Sequence, residues 1–226
     1  MSGDGRNLVV FACGRKRSGK SHLLASLASK FPRRIVFDFI GEFYRKIPGA
    51  IEAHTLGDAL DALRNARKNG RQWTVLCMFN PADVPQLVGA IAPLGAIPEQ
   101  SFSFAVGGVV LECGECDLIM PNNAGIEPEM LDAIQRGRHF RLSSLFGTQR
   151  PRQTHRVLTS QADVICAFRQ REPRDVDFLG ELVRHDIPAL VRQLQGHEYV
   201  RYFDAHGTVE RVGEDGAAEV VPESSP

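Results

Sequence analysis

Eight consecutive residues, Gly14-Arg15-Lys16-Arg17-Ser18-Gly19-Lys20-Ser21, place two glycines, a lysine and a hydroxyl at the spacing of a phosphate cradle. Glycine lets the backbone curl so that successive N–H groups converge on phosphate oxygens, and a helix that follows adds its positive N-terminus. Lys20 is then set to reach the β and γ phosphates of a nucleoside triphosphate, and Ser21 to offer its hydroxyl to Mg²⁺. The residues from Gly14 through Ser21, with His22, are the candidate binding set for ATP and Mg²⁺. Such a loop works only between a strand and a helix. Leu8-Val9-Val10-Phe11-Ala12-Cys13 is an apolar run of strand length, and Leu23, Leu24, Leu27 and Ala28 recur at helical spacing.

The second chemical stretch is Val106 to Glu115, an apolar strand closed by carboxylates. Phosphoryl transfer to water needs one acid in the Mg²⁺ shell and one to polarise the attacking water, and Glu112 and Glu115 are the candidates. The usual Asp-Glu pair is absent. Either Glu112 serves the metal and Glu115 the water, or Glu115 alone is the base and Gly114 stands at the usual Asp position. Asp38 ends another buried strand, Arg34 to Phe39, where open α/β sheets place their ligands. It faces a nucleotide there, or it caps its own loop.

The elements that must position these groups follow in turn. A helix is expected from Gly57 to Gly70, a strand from Trp73 to Phe79, and a helix from Val84 to Leu94. A short helix from Pro128 to Gln135 precedes strands over Leu142–Gln149 and Val164–Phe168. Helices over Glu172–Val183 and Ile187–Gln195 come next, since Pro173 suits a first helical turn. The order predicts a tail (1–6), a core (7–196), a β-hairpin (197–212) centred on Gly207, and an acidic tail (213–226) too poor in apolar residues to fold.

The 226 residues fit one α/β domain with a full core. Lys plus Arg and Asp plus Glu both total 27, so bulk charge names no partner. Between Arg136 and Arg174, however, nine arginines face only Asp163 and Glu172, a local excess suited to phosphate-bearing ligands. The five cysteines read as reduced core residues, and Cys113-x-x-Cys116 lacks a second pair at metal spacing. No apolar run is long enough to span a bilayer and no signal peptide is evident, which predicts a cytoplasmic protein.

The glycine-rich loop, then Val36-Phe37-Asp38 with Gly41-Glu42-Phe43, the carboxylate-ended strand, Arg136-Gly137-Arg138-His139 and Thr148-Gln149-Arg150-Pro151 together resemble the HerA–FtsK superfamily over roughly Asn7 to Gln195. The resemblance implies a RecA-like P-loop NTPase, with a central mostly parallel sheet, helices on both faces and a small C-terminal hairpin. It implies that Gln149 senses the γ-phosphate, and that Arg136 or Arg138, with Arg150 a weaker match, completes the site of an adjacent subunit in a hexameric or pentameric ring. Cellular members carry an added barrel or membrane segment, for which this length leaves no room. The chain therefore looks most like the compact ATPases that package double-stranded DNA into capsids of tailless viruses, in the host cytoplasm or at a capsid vertex beside vertex proteins. A cellular or plasmid DNA translocase is the alternative within the superfamily. Outside it stand a P-loop small-molecule kinase, for which no arginine-rich lid is apparent, and an ATP-gated assembly protein, whose usual membrane segment is missing.

Overall fold

The computed structural model describes residues 8–43, 46–69, 72–96, 109–137 and 142–223. The expectations for residues 1–6, for Val106–Gly108, and for Arg138 and His139 lie outside the described residues. The chain forms two compact units.

The first unit is built mainly from Ala25–Gly114 and Ile126–Leu145. Its strands are β2 (Arg33–Phe37), β3 (Ile51–Ala53), β4 (Trp73–Cys77) and β5 (Val109–Cys113), with helices α2 (Leu56–Asn69), α3 (Val84–Ala96) and α4 (Pro128–Arg136). β2 runs parallel to β4 and β5, with Ile35 opposite both Val75 and Leu111. Parallel strands covered on both faces read as continuous apolar runs, and β5 is buried at all five positions. α2 starts at a reciprocal capping box: the Asp58 N–H donates to Thr55 Oγ1 at 3.1 Å, and the Thr55 N–H donates to Asp58 Oδ2 at 3.0 Å. α3 and α4 approach closely at Gly89, where a Cβ would stand 2.8 Å from Glu129 Cγ.

The second unit comprises Val9–Leu24, Glu115–Gly125 and the chain from Phe146 on. It holds β1 (Val9–Cys13), the start of α1 (Lys20–Ala28), α5 (Arg156–Ser160), β7 (Val164–Phe168), α6 (Pro173–Leu182), α7 (Ile187–Gln193), β8 (Tyr199–Phe203), β9 (Thr208–Val212) and β10 (Ala218–Val220). β1 and β7 pair in parallel, Val10 opposite Val164, whereas β8, β9 and β10 add on in antiparallel fashion. The strand order is β10-β9-β8-β7-β1 in this unit and β5-β2-β4-β3 in the first, and β6 (Leu142–Thr148) has residues in both.

The expected hairpin is β8 and β9, turning through Gly207 at φ +60°. These strands belong to the same compact unit as the glycine-rich loop. The acidic tail departs from expectation. Ala218, Glu219 and Val220 pair with Val212, Arg211 and Glu210, because β9 offers an open edge whose backbone groups need partners. β3 was not foreseen either: it has three residues and two of them are exposed. All five cysteines are buried and none is in a disulfide.

Candidate functional site

The loop after β1 is tied at its entrance to the ends of two other strands. The Gly14 N–H donates to the Thr148 carbonyl of β6 at 3.2 Å, and the Arg15 N–H to the Arg169 carbonyl beyond β7 at 3.0 Å. Arg17 at φ +61° and Gly19 at φ +103° then turn the chain through the left-handed region, and α1 begins at Lys20. Gly14 admits no side chain: a Cβ there would stand 2.5 Å from Phe168 Cβ and 2.8 Å from Ser18 Oγ. At Gly19 the backbone itself demands glycine, and a Cβ would also meet Phe168 Cε1 at 3.3 Å and His197 Cβ at 3.4 Å.

Lys20 lies folded over this cradle. Its ammonium donates to the carbonyls of Gly14 at 2.7 Å and Arg15 at 3.1 Å, and the residue is only 8% exposed. Ser18 Oγ is buried and meets no hydrogen-bond partner among the described residues. A buried hydroxyl without a partner is costly, so its position in a curled, lysine-bearing loop suits a ligand rich in acceptor oxygens. Lys16, Arg17 and His22 are exposed around the rim, and Arg15 and Ser21 are half-buried.

Beside the loop, Thr148 organises the end of β6. Its hydroxyl donates to Asp117 Oδ1 at 2.8 Å and accepts the Arg150 N–H at 2.9 Å, which fixes the turn carrying exposed Gln149. Arg150 Nε lies 2.9 Å from Asp175 Oδ2, pairing a half-exposed guanidinium with a buried carboxylate. Glu115, half-buried, heads the 3₁₀ turn Cys116–Leu118, its carbonyl accepting the Leu118 N–H at 3.1 Å.

The remaining candidates belong to the first unit. Glu112 is 1% exposed and its Oε2 accepts from Arg34 Nη2 of β2 at 3.0 Å, while its Oε1 has no hydrogen-bond partner among the described residues. Burial pushes its carboxyl above the ordinary range; the Arg34 guanidinium pulls it back, and the charges of Asp38 and Glu42 push it up further. Asp38 caps its own loop, accepting the Glu42 N–H at 2.7 Å and the Phe43 N–H at 2.8 Å, the plainer of its two expected roles. Arg136 is exposed in the last turn of α4 and pairs with Asp132 one turn back at 3.1 Å.

Arg34, Asp117 and Asp175 were not singled out from the sequence, and Thr148 stood out only as the first residue of the Thr148-Gln149-Arg150-Pro151 motif. A buried Glu112 does call for a cation, since a lone buried carboxylate is expensive, but nothing local says that Arg34 supplies it from 78 residues away. Three of the cysteines add no reactivity: burial raises the thiols of Cys13, Cys77 and Cys166 to about 12. Among the described residues no cluster of His, Cys, Asp and Glu could hold a metal ion.

No family model matches the chain, and no curated protein does. Solved structures do. The chain is similar to the genome packaging NTPase B204 from Sulfolobus turreted icosahedral virus 2 in complex with ATPγS, at 22% identity over 91% of this chain and 96% of that one, with a TM-score of 0.71. It is also similar to B204, the DNA-packaging ATPase from Sulfolobus turreted icosahedral virus, at 18% identity over 99% and 100% of the two chains, TM-score 0.65. The pCW3 conjugation coupling protein TcpA with ATPγS matches at 11% identity over 89% of this chain but 58% of its own, TM-score 0.59. These likenesses establish the fold alone, a mostly parallel α/β architecture with antiparallel strands toward its C-terminus.

Proposed function

We propose that the protein is an ATPase that translocates double-stranded DNA, acting as a ring in the packaging of a viral genome into a capsid. The observation that carries this reading is the cradle: a curled loop with two obligatory glycines, a folded-back Lys20 and a buried, unpartnered Ser18 hydroxyl. It sits on a fold shared nearly end to end with a packaging NTPase solved with ATPγS.

In this reading the loop backbone and Ser18 hold the phosphates, and Lys20 exchanges its two carbonyl partners for phosphate oxygens. Glu115 is the base that takes the proton of the attacking water, and Gln149, held by the Thr148 turn, senses the γ-phosphate. Ser21 would offer its hydroxyl to Mg²⁺ in this loop, and Glu112, one carboxylate oxygen of which is fixed by Arg34, is the acid proposed for the metal role. Bound there, the ion would neutralise charge on the phosphates. An arginine from the next subunit, Arg138 or Arg136, meets the charge that develops on the transferred group, which makes hydrolysis depend on the ring.

No helix among the described residues is long and apolar enough to cross a membrane. We place the protein in the host cytoplasm, docking at a capsid vertex during packaging. The test is ATP hydrolysis by the purified chain with and without a random-sequence duplex. Stimulation by DNA, with no small-molecule phosphoryl acceptor needed, is expected. Hydrolysis indifferent to DNA but driven by a metabolite would make the chain a kinase.

A further inference from the structure

The second unit also carries a polar groove of about 610 Å³. Two loops form its floor. One leaves the end of β5 and runs through Asp117 to Asn123; the other leaves the end of β6 and runs through Arg150 to Gln153. They are zipped together: the Asn122 N–H donates to the Gln153 carbonyl at 2.7 Å, Asn122 Nδ2 to the Arg152 carbonyl at 3.2 Å, and the His155 N–H to the Met120 carbonyl at 2.8 Å. An isolated antiparallel bridge joins Pro121 to Thr154. The first turn of α6, with Arg174 and Asp175, closes one side.

Three arginines and two acids line this groove, and both acids are engaged inside it. Asp117 Oδ1 accepts from the Thr148 hydroxyl, while Asp175 accepts the Arg152 N–H at Oδ1 and forms an ion pair with Arg150 through Oδ2. The guanidinium groups of Arg152 and Arg174 have no carboxylate partner among the described residues. Asn122, Asn123 and Gln153 complete the lining, and Pro121 is its one apolar member. Guanidinium forks beside amide donors on a braced floor match phosphate oxygens, and the groove has no apolar anchor for a peptide.

We propose that this groove is where the protein grips the sugar–phosphate backbone of duplex DNA, with Arg152 and Arg174 as the principal phosphate contacts. The proposal rests on the translocase reading and gives it a DNA-holding site. The same two loops carry the catalytic candidates at their roots, Glu115 on one and Gln149 on the other. A backbone held in the groove therefore pulls on segments one or two residues from the chemistry, a direct route by which DNA stimulates hydrolysis. Contacts of this kind set register without reading bases, so binding is indifferent to sequence.

The test is the full-length Arg152→Ala/Arg174→Ala double variant, with fluorescence anisotropy on a random-sequence duplex across a salt series. Neutralised phosphates release counterions, so the log–log salt slope should shrink by about 0.9 for each arginine that makes a contact, and affinity near 0.1 M salt should fall about tenfold or more. Binding of a fluorescent ATP analogue and the DNA-free hydrolysis rate should stay unchanged, and Arg152→Lys/Arg174→Lys should keep most of the slope. Wild-type affinity and slope in the alanine variant would overturn the groove assignment while leaving the translocase reading intact. Loss of self-association in place of DNA binding, seen by sedimentation, would make the groove a contact between copies and overturn it as well. A wild-type chain that does not bind duplex DNA would bring down the translocase reading and the groove with it.

Discussion

Arg34 of β2 and Glu112 of β5 form an ion pair of 3.0 Å, with the arginine side chain 12% and the glutamate 1% exposed. A pair this deep is as much a liability as a support, because removing one partner strands the other charge away from water. We predict that Arg34→Met lowers stability by about 3–5 kcal/mol, read as a shift of the urea midpoint at unchanged slope. The pH dependence has a definite sign. Burial raises the folded-state pKa of Glu112, so its contribution to stability is fully present below the ordinary carboxylate range and is lost as pH rises through the raised value. Arg34→Met should steepen that loss, since it removes the charge that pulls the carboxyl back down, and Glu112→Gln should abolish it. Urea midpoints for the three proteins from mildly acid to neutral pH decide the matter. Parallel curves would mean that Glu112 does not titrate differently on folding.

That pairing marks the limit of what could be read in advance. β1 and β7 were legible because a strand buried on both faces reads as a continuous apolar run, β5 because Glu112 alone interrupts such a run, and the glycine-rich loop because its chemistry is local. Arg34 and Glu112 meet only through a register that sets Val36 opposite Glu112, and register between parallel strands leaves no mark within either strand. β3 and β10 were missed for another reason. Each has three residues, and Ile51 of β3 and all of β10 lie exposed, so neither carries an apolar period. The Thr148–Asp117 and Arg150–Asp175 contacts likewise join segments far apart in sequence.

Lys20 closes the cradle on itself through the Gly14 and Arg15 carbonyls. Replacing it with alanine removes both those bonds and the charge that should face the β and γ phosphates. We predict that Lys20→Ala lowers ATP hydrolysis by about 10²–10³-fold or more and weakens ATP binding, while the urea midpoint moves far less than in Arg34→Met. Turnover close to wild type in the folded variant would refute the phosphate role.

Glu115 and Glu112 should separate by phenotype. Glu115 is half-buried at the head of a turn, where water can reach it; Glu112 is locked in the sheet against Arg34. Glu115→Gln is expected to keep ATP binding and lose hydrolysis, because only the proton acceptor is gone. Glu112→Gln is expected to raise the Mg²⁺ concentration needed for half-maximal rate and to lower stability. The two roles are exchanged if titration of Mg²⁺ gives the opposite assignment.

Arg136 and Arg138 carry the prediction that most separates a ring motor from a solitary enzyme. Arg136 stands exposed at the end of α4, and its pair with Asp132 is an i,i+4 contact worth only about 0.3–0.5 kcal/mol, so the fold gains little from it. If these were merely solvated charges, changing either would do almost nothing. If one completes a neighbour's site, Arg138→Ala should keep ATP binding and assembly and lose hydrolysis, because the guanidinium matters mostly in the transition state. Mixing provides the discriminating measurement. Arg138→Ala and Glu115→Gln are each inactive alone, yet a mixed ring contains interfaces that join an intact base on one subunit to an intact arginine on the next, and partial activity should return in proportion to those interfaces. Mixed rings that stay inactive after subunit exchange has been verified would place Arg138 within its own subunit's chemistry or outside the chemistry altogether, and the same experiment on Arg136→Ala then tells which of the two arginines crosses the interface.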